Sequence, residues 1–276
     1  MKRSLAFLKN IWDIYYEKRI SRSAAALSYF LTLSLFPFLI CMSELLTTLG
    51  VSGGFFMSDG YGIIPAETME IIRDFVIYID ENHSTFMLTA AIVAFVTSAS
   101  ASFRQIMLIM DDIQGKTRYR EAFRILFSIL FSFAFPVMIY LIFVVMISGE
   151  WLLSKIGLLQ LFGGLGPIWN TMRFLFIFLL LCGIIYGIYV VTAPKLKISH
   201  IKRWPGTLFA AAVLVGVSIL FSWFIGASIR YKLLYGSVAS VIILMIWLYI
   251  CSTILILGNV VNVVLYNMKH RCNDED

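Results

Sequence analysis

Four residues at the start of the first long apolar run combine a cation, two hydroxyls and a proline ring. Arg22, Tyr29, Ser34 and Pro37 lie in the segment RSAAALSYFLTLSLFP. A proline inside a helix frees the carbonyl four residues earlier, here that of Leu33, and Ser34 is placed to help satisfy it. The guanidinium of Arg22 suits a phosphate group; an ordinary basic anchor is the alternative. The segment predicts a kinked apolar helix with a polar feature inside it.

A second polar group follows in the next apolar run. Ser98 belongs to a hydroxyl-rich face, and Arg104, Asp111 and Asp112 come after it. Small hydroxyl faces favour close helix packing, with a substrate path as the alternative. For Arg104 we expect a side chain that reaches toward the lipid headgroups, with a carboxylate partner as the other interpretation.

A third polar group lies in the last apolar run. Asn259 and Asn262 are three residues apart and therefore share a helix face. They predict either a hydrogen-bonded clasp between helices or a contact with a ligand. The residues that could line a substrate pathway are then Arg22, Tyr29, Ser34, Pro37, Ser98, Arg104, Asp111, Asp112, Asn259 and Asn262.

Composition assigns the chain to the membrane class. Hydrophobic residues make up 60% and charged residues 14% of the 276, and the mean hydropathy is +0.89. The 4 cysteines form no CxxC pair, and the 3 histidines are far apart in sequence. These spacings predict no metal site, no catalytic residues and no cofactor.

Apolar segments of bilayer length predict an all-α, polytopic membrane protein with six transmembrane helices. The spans are 24–49, 86–103, 123–148, 172–192, 205–227 and 236–265. The expected organisation is a cytoplasmic interfacial helix over 1–22, a transmembrane domain over 23–267 and a cytoplasmic tail over 268–276.

The basic residues predict the orientation of these spans. Of the 22 Lys and Arg residues, 17 lie in the two termini, the second-to-third connection and the fourth-to-fifth connection. The positive-inside rule therefore places both termini in the cytoplasm, which makes the chain N-in and C-in. We attribute the net charge of +6 to the basic residues that determine the orientation in the membrane, and we expect no nucleic-acid partner.

Two amphipathic segments are expected along the membrane surface. Residues 4–20 carry Leu and aromatic residues at helical spacing, which is typical of an interfacial helix. A helix packed on the cytoplasmic end of the bundle is an equal alternative. The second segment, over about 65–80, is an outer amphipathic helix that either covers a cavity or is a plain loop helix.

These motifs resemble the YihY/BrkB family of bacterial inner-membrane proteins. The resemblance is carried by the segment from Arg22 to Pro37, by WPG at 204–206 and by GNVVN at 258–262. It implies a bacterial plasma (inner) membrane location. Two departures stand out, namely Asp111-Asp112 in place of an Ala-Leu-Asn type sequence, and Asn259 where the family commonly has Ala-Glu. Some relatives are labelled ribonuclease BN, but the scattered histidines argue against nuclease chemistry.

Two functions follow from these observations. The first is a transporter or translocator of a lipid or envelope-related substrate through a polar cavity between helices. The second is a scaffold for envelope assembly whose polar residues only join helices. The expected partners are membrane lipids and envelope-assembly proteins, and small-residue faces allow a homo-oligomer. A cation pathway is a weaker alternative, because no carboxylate is expected at midplane depth.

Overall fold

The structure is a computed structural model that describes residues 2–48, 85–115, 121–133, 166–192, 203–226 and 238–273. Within these ranges every regular element is an α-helix, as the long apolar runs predict. The helices are α1 Lys2–Glu17, α2 Ile20–Thr48, α3 Thr85–Gln114, α4 over 121–133, α5 Gly166–Thr192, α6 Trp204–Gly226 and α7 Val238–Asn273.

Four stretches of these helices are long and apolar enough to cross a membrane. They are Ile20–Cys41, Leu88–Gln114, Trp204–Trp223 and Val241–Met268, and they coincide with the first, second, fifth and sixth predicted spans. Helix α5 contains a shorter apolar stretch, Phe178–Thr192, and α4 covers only the start of the third predicted span. The helical, multi-pass character is confirmed, whereas the six spans and the cytoplasmic termini stay predictions. The outer segment over 65–80 lies outside the described residues.

Two helices continue well past the predicted ends of their spans. Helix α3 runs to Gln114, past the predicted span end at 103, because apolar residues resume after Arg104, and α7 runs to Asn273, past the predicted end at 265. The backbone of α3 stops only where Gly115 adopts φ 65° and its N–H donates to the carbonyl of Asp112 at 3.3 Å. Hydropathy marks where apolar side chains end, but the helix ends where a residue leaves the right-handed conformation.

One buried apolar cluster joins the first turns of α2, the last turns of α3 and the C-terminal half of α7. Four partly buried residues of α1 pack against it, so α1 is attached to the bundle. The cluster consists of Ile20, Ala24, Ile109, Ile113, Ile256, Val260, Val263 and Val264, and the α1 residues are Phe7, Ile11, Ile14 and Tyr15.

A second buried cluster joins α2, α3, α5, α6 and α7. It contains Tyr189 at its edge toward the C-terminal end of α5 and two consecutive alanines of α6 that permit close approach. This cluster positions α5 and α6 against α7, where most of the polar contacts described below are found. Its members are Leu27, Ile106, Met110, Cys182, Ile185, Tyr189, Ala210, Ala211 and Ile254.

The junction between α1 and α2 is a sharp change of backbone conformation at Arg19. Its φ of 47° lies in the left-handed region, which non-glycine residues adopt rarely. The carbonyl of Arg19 then accepts the N–H of Arg22 at 3.0 Å and that of Ser23 at 3.3 Å, which starts α2. Helix α1 therefore leaves the axis of the first candidate span.

Candidate functional site

Arg22 and Tyr29 lie on the exposed side of α2. Tyr29 is 53% exposed, and its ring meets that of Phe30 edge-on at a centroid distance of 5.4 Å. Arg22 is exposed in the first turn of the helix. Both side chains therefore face away from the centre of the bundle, which leaves them free to meet lipid or headgroups.

Ser34 and Pro37 occupy a different part of the same helix. Ser34 is buried, and its hydroxyl donates to the carbonyl of Leu31 at 2.9 Å. The expectation that Ser34 satisfies the carbonyl of Leu33 is therefore wrong, because its only hydroxyl hydrogen is already used on Leu31. Helix α2 continues through Pro37, whose side chain is half-buried. The four residues Arg22, Tyr29, Ser34 and Pro37 therefore do not form one site.

The hydroxyl face of α3 is used for packing. Ser98 and Ser102 donate to the carbonyls of Ala94 and Ser98 on their own helix, at 2.5 Å and 3.1 Å. Ser100 reaches across to α4, where its Oγ lies 2.8 Å from the buried Oγ of Ser128. These contacts agree with the close-packing interpretation of the face.

Asp111 forms a buried ion pair with Arg124 of α4. The Asp111 Oδ2 to Arg124 Nη2 distance is 2.9 Å, and the side chains are 8% and 5% exposed. Arg124 Nη1 also contacts Glu121 Oε1 at 2.7 Å, where Glu121 is 81% exposed. The pair fixes the start of α4 against the end of α3.

The neighbouring charged candidates are less enclosed. Asp112 is exposed and lies 3.6 Å from Lys18 Nζ at the end of α1. Arg104 is half-buried, and the ion pairs found among the described residues do not include it. The carboxylate-partner interpretation thus belongs to Arg124 and not to Arg104.

Helices α6 and α7 cross at a pair of glycines. The N–H of Gly206 donates to Asn262 Oδ1 at 2.7 Å in a buried hydrogen bond. A Cβ at Gly206 would collide with the backbone carbonyl of Gly258, and a Cβ at Gly258 would lie 2.7 Å from the Cβ of Ala210. The first turn of α6 therefore lies directly on the backbone of α7, and Asn262 joins the two helices.

The C-terminal end of α5 is attached to the same crossing. The hydroxyl of Tyr189 donates to the carbonyl of Leu255 on α7 at 2.6 Å. The Nη1 of Arg203 donates to the carbonyl of Tyr189 at 3.1 Å, and the hydroxyl of Thr207 donates to the carbonyl of Arg203 at 3.0 Å. A cation on the last carbonyls of a helix offsets its negative end, so Arg203 links α5 to α6.

Five buried polar atoms on α6 and α7 have no hydrogen-bond partner among the described residues. They are Ser218 Oγ, Trp247 Nε1, Ser252 Oγ, Asn259 Nδ2 and Asn262 Nδ2, and the two serines and two asparagines are at most 3% exposed. The identity of Nδ2 in Asn262 is fixed, because its Oδ1 accepts from Gly206. Two further buried atoms share this condition, namely Gln114 Oε1 on α3 and Arg124 Nε on α4.

Seven other buried hydroxyls of the bundle are satisfied within their own helix. Each donates to a carbonyl three or four residues earlier, which is the usual solution for serine and threonine in an apolar environment. They are Ser28, Thr32, Ser34, Ser98, Ser102, Thr192 and Thr207. Among the described residues, the unsatisfied buried hydroxyls, Ser218 and Ser252, are therefore found on the last two helices.

Three of the four residues of α7 with an unsatisfied polar atom form a stripe, and the fourth, Trp247, lies outside it. Successive residues of a helix turn by about 100° and rise by about 1.5 Å. Ser252, Asn259 and Asn262 consequently fall within about 80° of one another and extend over about 15 Å of helix. We define these three residues as the polar stripe of α7.

The described residues hold no group of three or more His, Cys, Asp or Glu side chains that could bind a metal ion. Cys41, Cys182 and Cys251 are free thiols. His83 and His200 lie outside the described residues.

Sequence reasoning missed the residues that complete these contacts. Arg124, Tyr189 and Arg203 act through partners on other helices, which no local pattern identifies. A sequence signal for Gly206 was present. This glycine follows a proline at the start of an apolar run, and a second glycine, Gly258, lies in the last apolar run, so two helices could approach closely there. Ser218 and Ser252 are single hydroxyls in apolar surroundings, and only their packing distinguishes them from the self-satisfied serines.

Comparisons with known proteins give one family. Residues 11–275 match the family described as Virulence factor BrkB. The ribonuclease-like protein YfkH of Bacillus subtilis (strain 168) is 28% identical over 274 residues, which cover 96% of this chain and 97% of YfkH. A UPF0761 membrane protein of Histophilus somni (strain 2336) is 29% identical over 85 residues, or 31% of this chain and 30% of the relative. No solved structure matches.

Proposed function

This chain belongs to the Virulence factor BrkB family, and from that premise we propose that it is a translocator of a lipid or envelope-related substrate in the bacterial plasma membrane. The substrate's polar group would pass along the polar stripe of α7. The observation that carries the proposal is the set of buried, unsatisfied polar atoms on α6 and α7.

The energetic argument is that such atoms are costly without a partner. Leaving a buried donor or acceptor unsatisfied costs about 1–3 kcal/mol, and a bilayer offers no substitute. Five of them lie on α6 and α7. Water, the polar group of a substrate or the part of the chain outside the described residues can supply their partners, and the proposal assigns this role to water and substrate.

The chemistry of the stripe favours a substrate rich in acceptors. Asn259 Nδ2 and Asn262 Nδ2 are both donors, and the hydroxyls of Ser252 and Ser218 can also donate. Phosphate, carbonyl and sugar oxygens are acceptors that lipid headgroups carry. A lipid or lipid-linked envelope component fits this pattern better than a cation does.

The test is translocation of a headgroup-labelled phospholipid in proteoliposomes. Purified protein is reconstituted, and a membrane-impermeant quencher reports how much label becomes accessible. We expect quenching beyond the protein-free level, and a reduction of about tenfold in Asn259→Leu protein, since losing one of these donors from the path is worth about 1.4 kcal/mol. Asn259 is preferred over Asn262 because it is not part of the Gly206 clasp.

Ser102→Ala is the matched control for this experiment. Ser102 is as buried as Ser252, but its hydroxyl is satisfied by its own helix. Flux in this variant should equal that of the unchanged protein. Quenching no greater than in empty vesicles, or equal loss in Asn259→Leu and Ser102→Ala, would remove the proposed phospholipid path.

Arg22 is proposed to hold a lipid phosphate at the mouth of the path. Its exposed position on the first turn of α2 permits this contact. A bidentate guanidinium is not replaced by an ammonium, so Arg22→Lys should lose flux nearly as strongly as Arg22→Ala. Full activity of Arg22→Lys beside an inactive Arg22→Ala would indicate a simple basic anchor.

The second candidate function is an envelope-assembly scaffold, which the Asn262 clasp to Gly206 favours. In that case the polar residues serve helix packing alone. The scaffold predicts that Asn262→Leu lowers thermal stability in detergent and that no variant changes flux above background. The translocator predicts lost flux in Asn259→Leu protein that remains as stable as the unchanged protein.

We propose that the chain is not an enzyme, although one relative has a ribonuclease-like name. Hydrolysis of RNA by a metal-dependent route needs clustered ligands, and His83, His200 and His270 are separated by 117 and 70 positions in the sequence. Purified protein incubated with RNA and divalent cations should give no cleavage. Cleavage that co-purifies with the folded protein and persists through a second purification step would overturn this part of the proposal.

A further inference from the structure

Helix α1 has a long apolar stripe that the bundle does not cover. Leu5, Leu8, Trp12 and Tyr16 are 64%, 63%, 62% and 60% exposed. Their spacing of three, four and four residues places them in one line along the helix. This outer stripe is separate from the α1 residues that pack on the bundle.

The bundle-facing side of α1 accounts for its attachment. Phe7, Ile11, Ile14 and Tyr15 pack on the cluster formed by α2, α3 and α7. Partial burial, with Tyr249 nearby, raises the pKa of the Tyr15 hydroxyl above its ordinary value. This side is therefore uncharged, and it holds the helix in one rotational position.

The third side of α1 is polar and exposed. It carries Lys9, Asp13 and Glu17. Viewed along the helix axis, these three residues lie beside the outer stripe and on the far side of the helix from the residues that face the bundle. Helix α1 thus has one side packed on the bundle, one exposed apolar side and one exposed polar side. This arrangement suits a helix that lies at a boundary between an apolar medium and water.

The position of α1 along the chain places that boundary at the bilayer surface. Helix α1 ends at Glu17, and a candidate membrane span begins at Ile20. The two intervening residues can extend over only about 7 Å. The left-handed Arg19 turns α1 away from the span axis, so the helix stays within reach of the headgroups.

The charge of the segment complements an anionic surface. Residues 2–22 contain six basic side chains and two acidic ones. Each Lys or Arg near an anionic leaflet contributes about 1 kcal/mol of attraction, and Trp and Tyr prefer the headgroup level. The basic residues are Lys2, Arg3, Lys9, Lys18, Arg19 and Arg22.

We infer that the outer stripe of α1 lies in the headgroup region of an anionic phospholipid bilayer, with its polar side toward the water. The bundle-facing side fixes the rotation of the helix, and the basic residues select anionic lipid. This inference does not depend on transport, because a scaffold would make the same contact. A second copy of the chain is the competing occupant of the stripe.

The test uses spin labels on the full chain in vesicles. The native cysteines Cys41, Cys182, Cys251 and Cys272 are replaced by alanine, and one label is placed at position 8, 13 or 14. Collision rates with oxygen, which concentrates in lipid, and with a nickel chelate, which stays in water, are compared. The vesicles contain phosphatidylcholine alone or phosphatidylcholine mixed with phosphatidylglycerol.

We expect the ratio of oxygen to nickel collisions to be several-fold higher for Leu8→Cys than for Asp13→Cys, and higher still with phosphatidylglycerol. Ile14→Cys is the bundle-facing control and should be shielded from both reagents. Lys2→Gln combined with Lys9→Gln should reduce the phosphatidylglycerol effect while the Ile14 control stays shielded.

Three results would overturn the inference. Equal accessibility of positions 8 and 13 to the nickel chelate would place the stripe in water. A lipid-exposed position 8 with no response to phosphatidylglycerol would remove the anionic selection. Efficient cross-linking between two Leu8→Cys chains would assign the stripe to a second copy.

Discussion

At the scale of single residues, Asp111 shows what sequence can and cannot predict. The carboxylate stood out because charges are costly in apolar helices, but the partner considered for it was Arg104. On one straight helix their separation of seven positions corresponds to about 10 Å of rise. Arg124, near the start of α4, comes within 2.9 Å of Asp111, near the end of α3. A pairing between two helices depends on backbone geometry that side-chain patterns do not encode.

The ion pair gives a prediction about stability. Arg124→Leu should destabilise the protein by about 3–5 kcal/mol, because Asp111 is left charged and buried. The double variant Asp111→Leu/Arg124→Leu should recover most of that loss, since both charges are removed together. Thermal unfolding in detergent measures both, and an additive loss in the double variant would show that the two residues are not coupled.

At the scale of helices, the crossing of α6 and α7 determines how the polar residues are presented. Gly206 and Gly258 bring the two backbones into contact, and Asn262 bonds across them. The sequence predicted a clasp or a ligand contact for the asparagines, and the structure gives the clasp to Asn262 Oδ1. It could not predict the partner, since the first turn of α6 becomes a neighbour only after the helices pack.

Two glycines of α6 provide a matched pair for testing this crossing. A Cβ at Gly206 collides with the carbonyl of Gly258, whereas a Cβ at Gly216 meets nothing within 4 Å. Gly206→Ala should cost about 1–3 kcal/mol or more through overpacking. Gly216→Ala should be neutral or stabilising, because alanine is the better helix former. Equal thermal stability of the two variants in detergent would contradict the crossing.

At the scale of the whole molecule, the sequence predicts the structural class of the protein better than it predicts the contacts between helices. Long apolar runs such as Trp204–Trp223 identify spans because bilayer thickness fixes their length. The predicted spans end at 103 and 265, whereas α3 and α7 continue to Gln114 and Asn273, because apolar residues resume after Arg104 and a helix can continue through polar residues beyond its apolar span. The orientation stays a prediction from the distribution of Lys and Arg.

The orientation can be tested with single cysteines in otherwise cysteine-free protein. Ser4→Cys and the native Cys272 should both react with an impermeant thiol reagent in inverted membrane vesicles and not in intact spheroplasts. This pattern is expected because most basic residues flank the two termini and the connections on their side. Reaction of either cysteine in intact spheroplasts would contradict the cytoplasmic placement of that terminus.

The central claim is that the polar stripe of α7 meets water or a polar substrate inside the bundle. Ser252 and Ser102 test it directly, because both are 2% exposed and differ in whether the hydroxyl has a partner. Ser252→Cys and Ser102→Cys would each be made in cysteine-free protein and treated in membranes with a small, water-soluble thiol reagent. We predict that the cysteine at position 252 reacts and that the one at position 102 does not. Equal protection of both cysteines would contradict a polar path along α7.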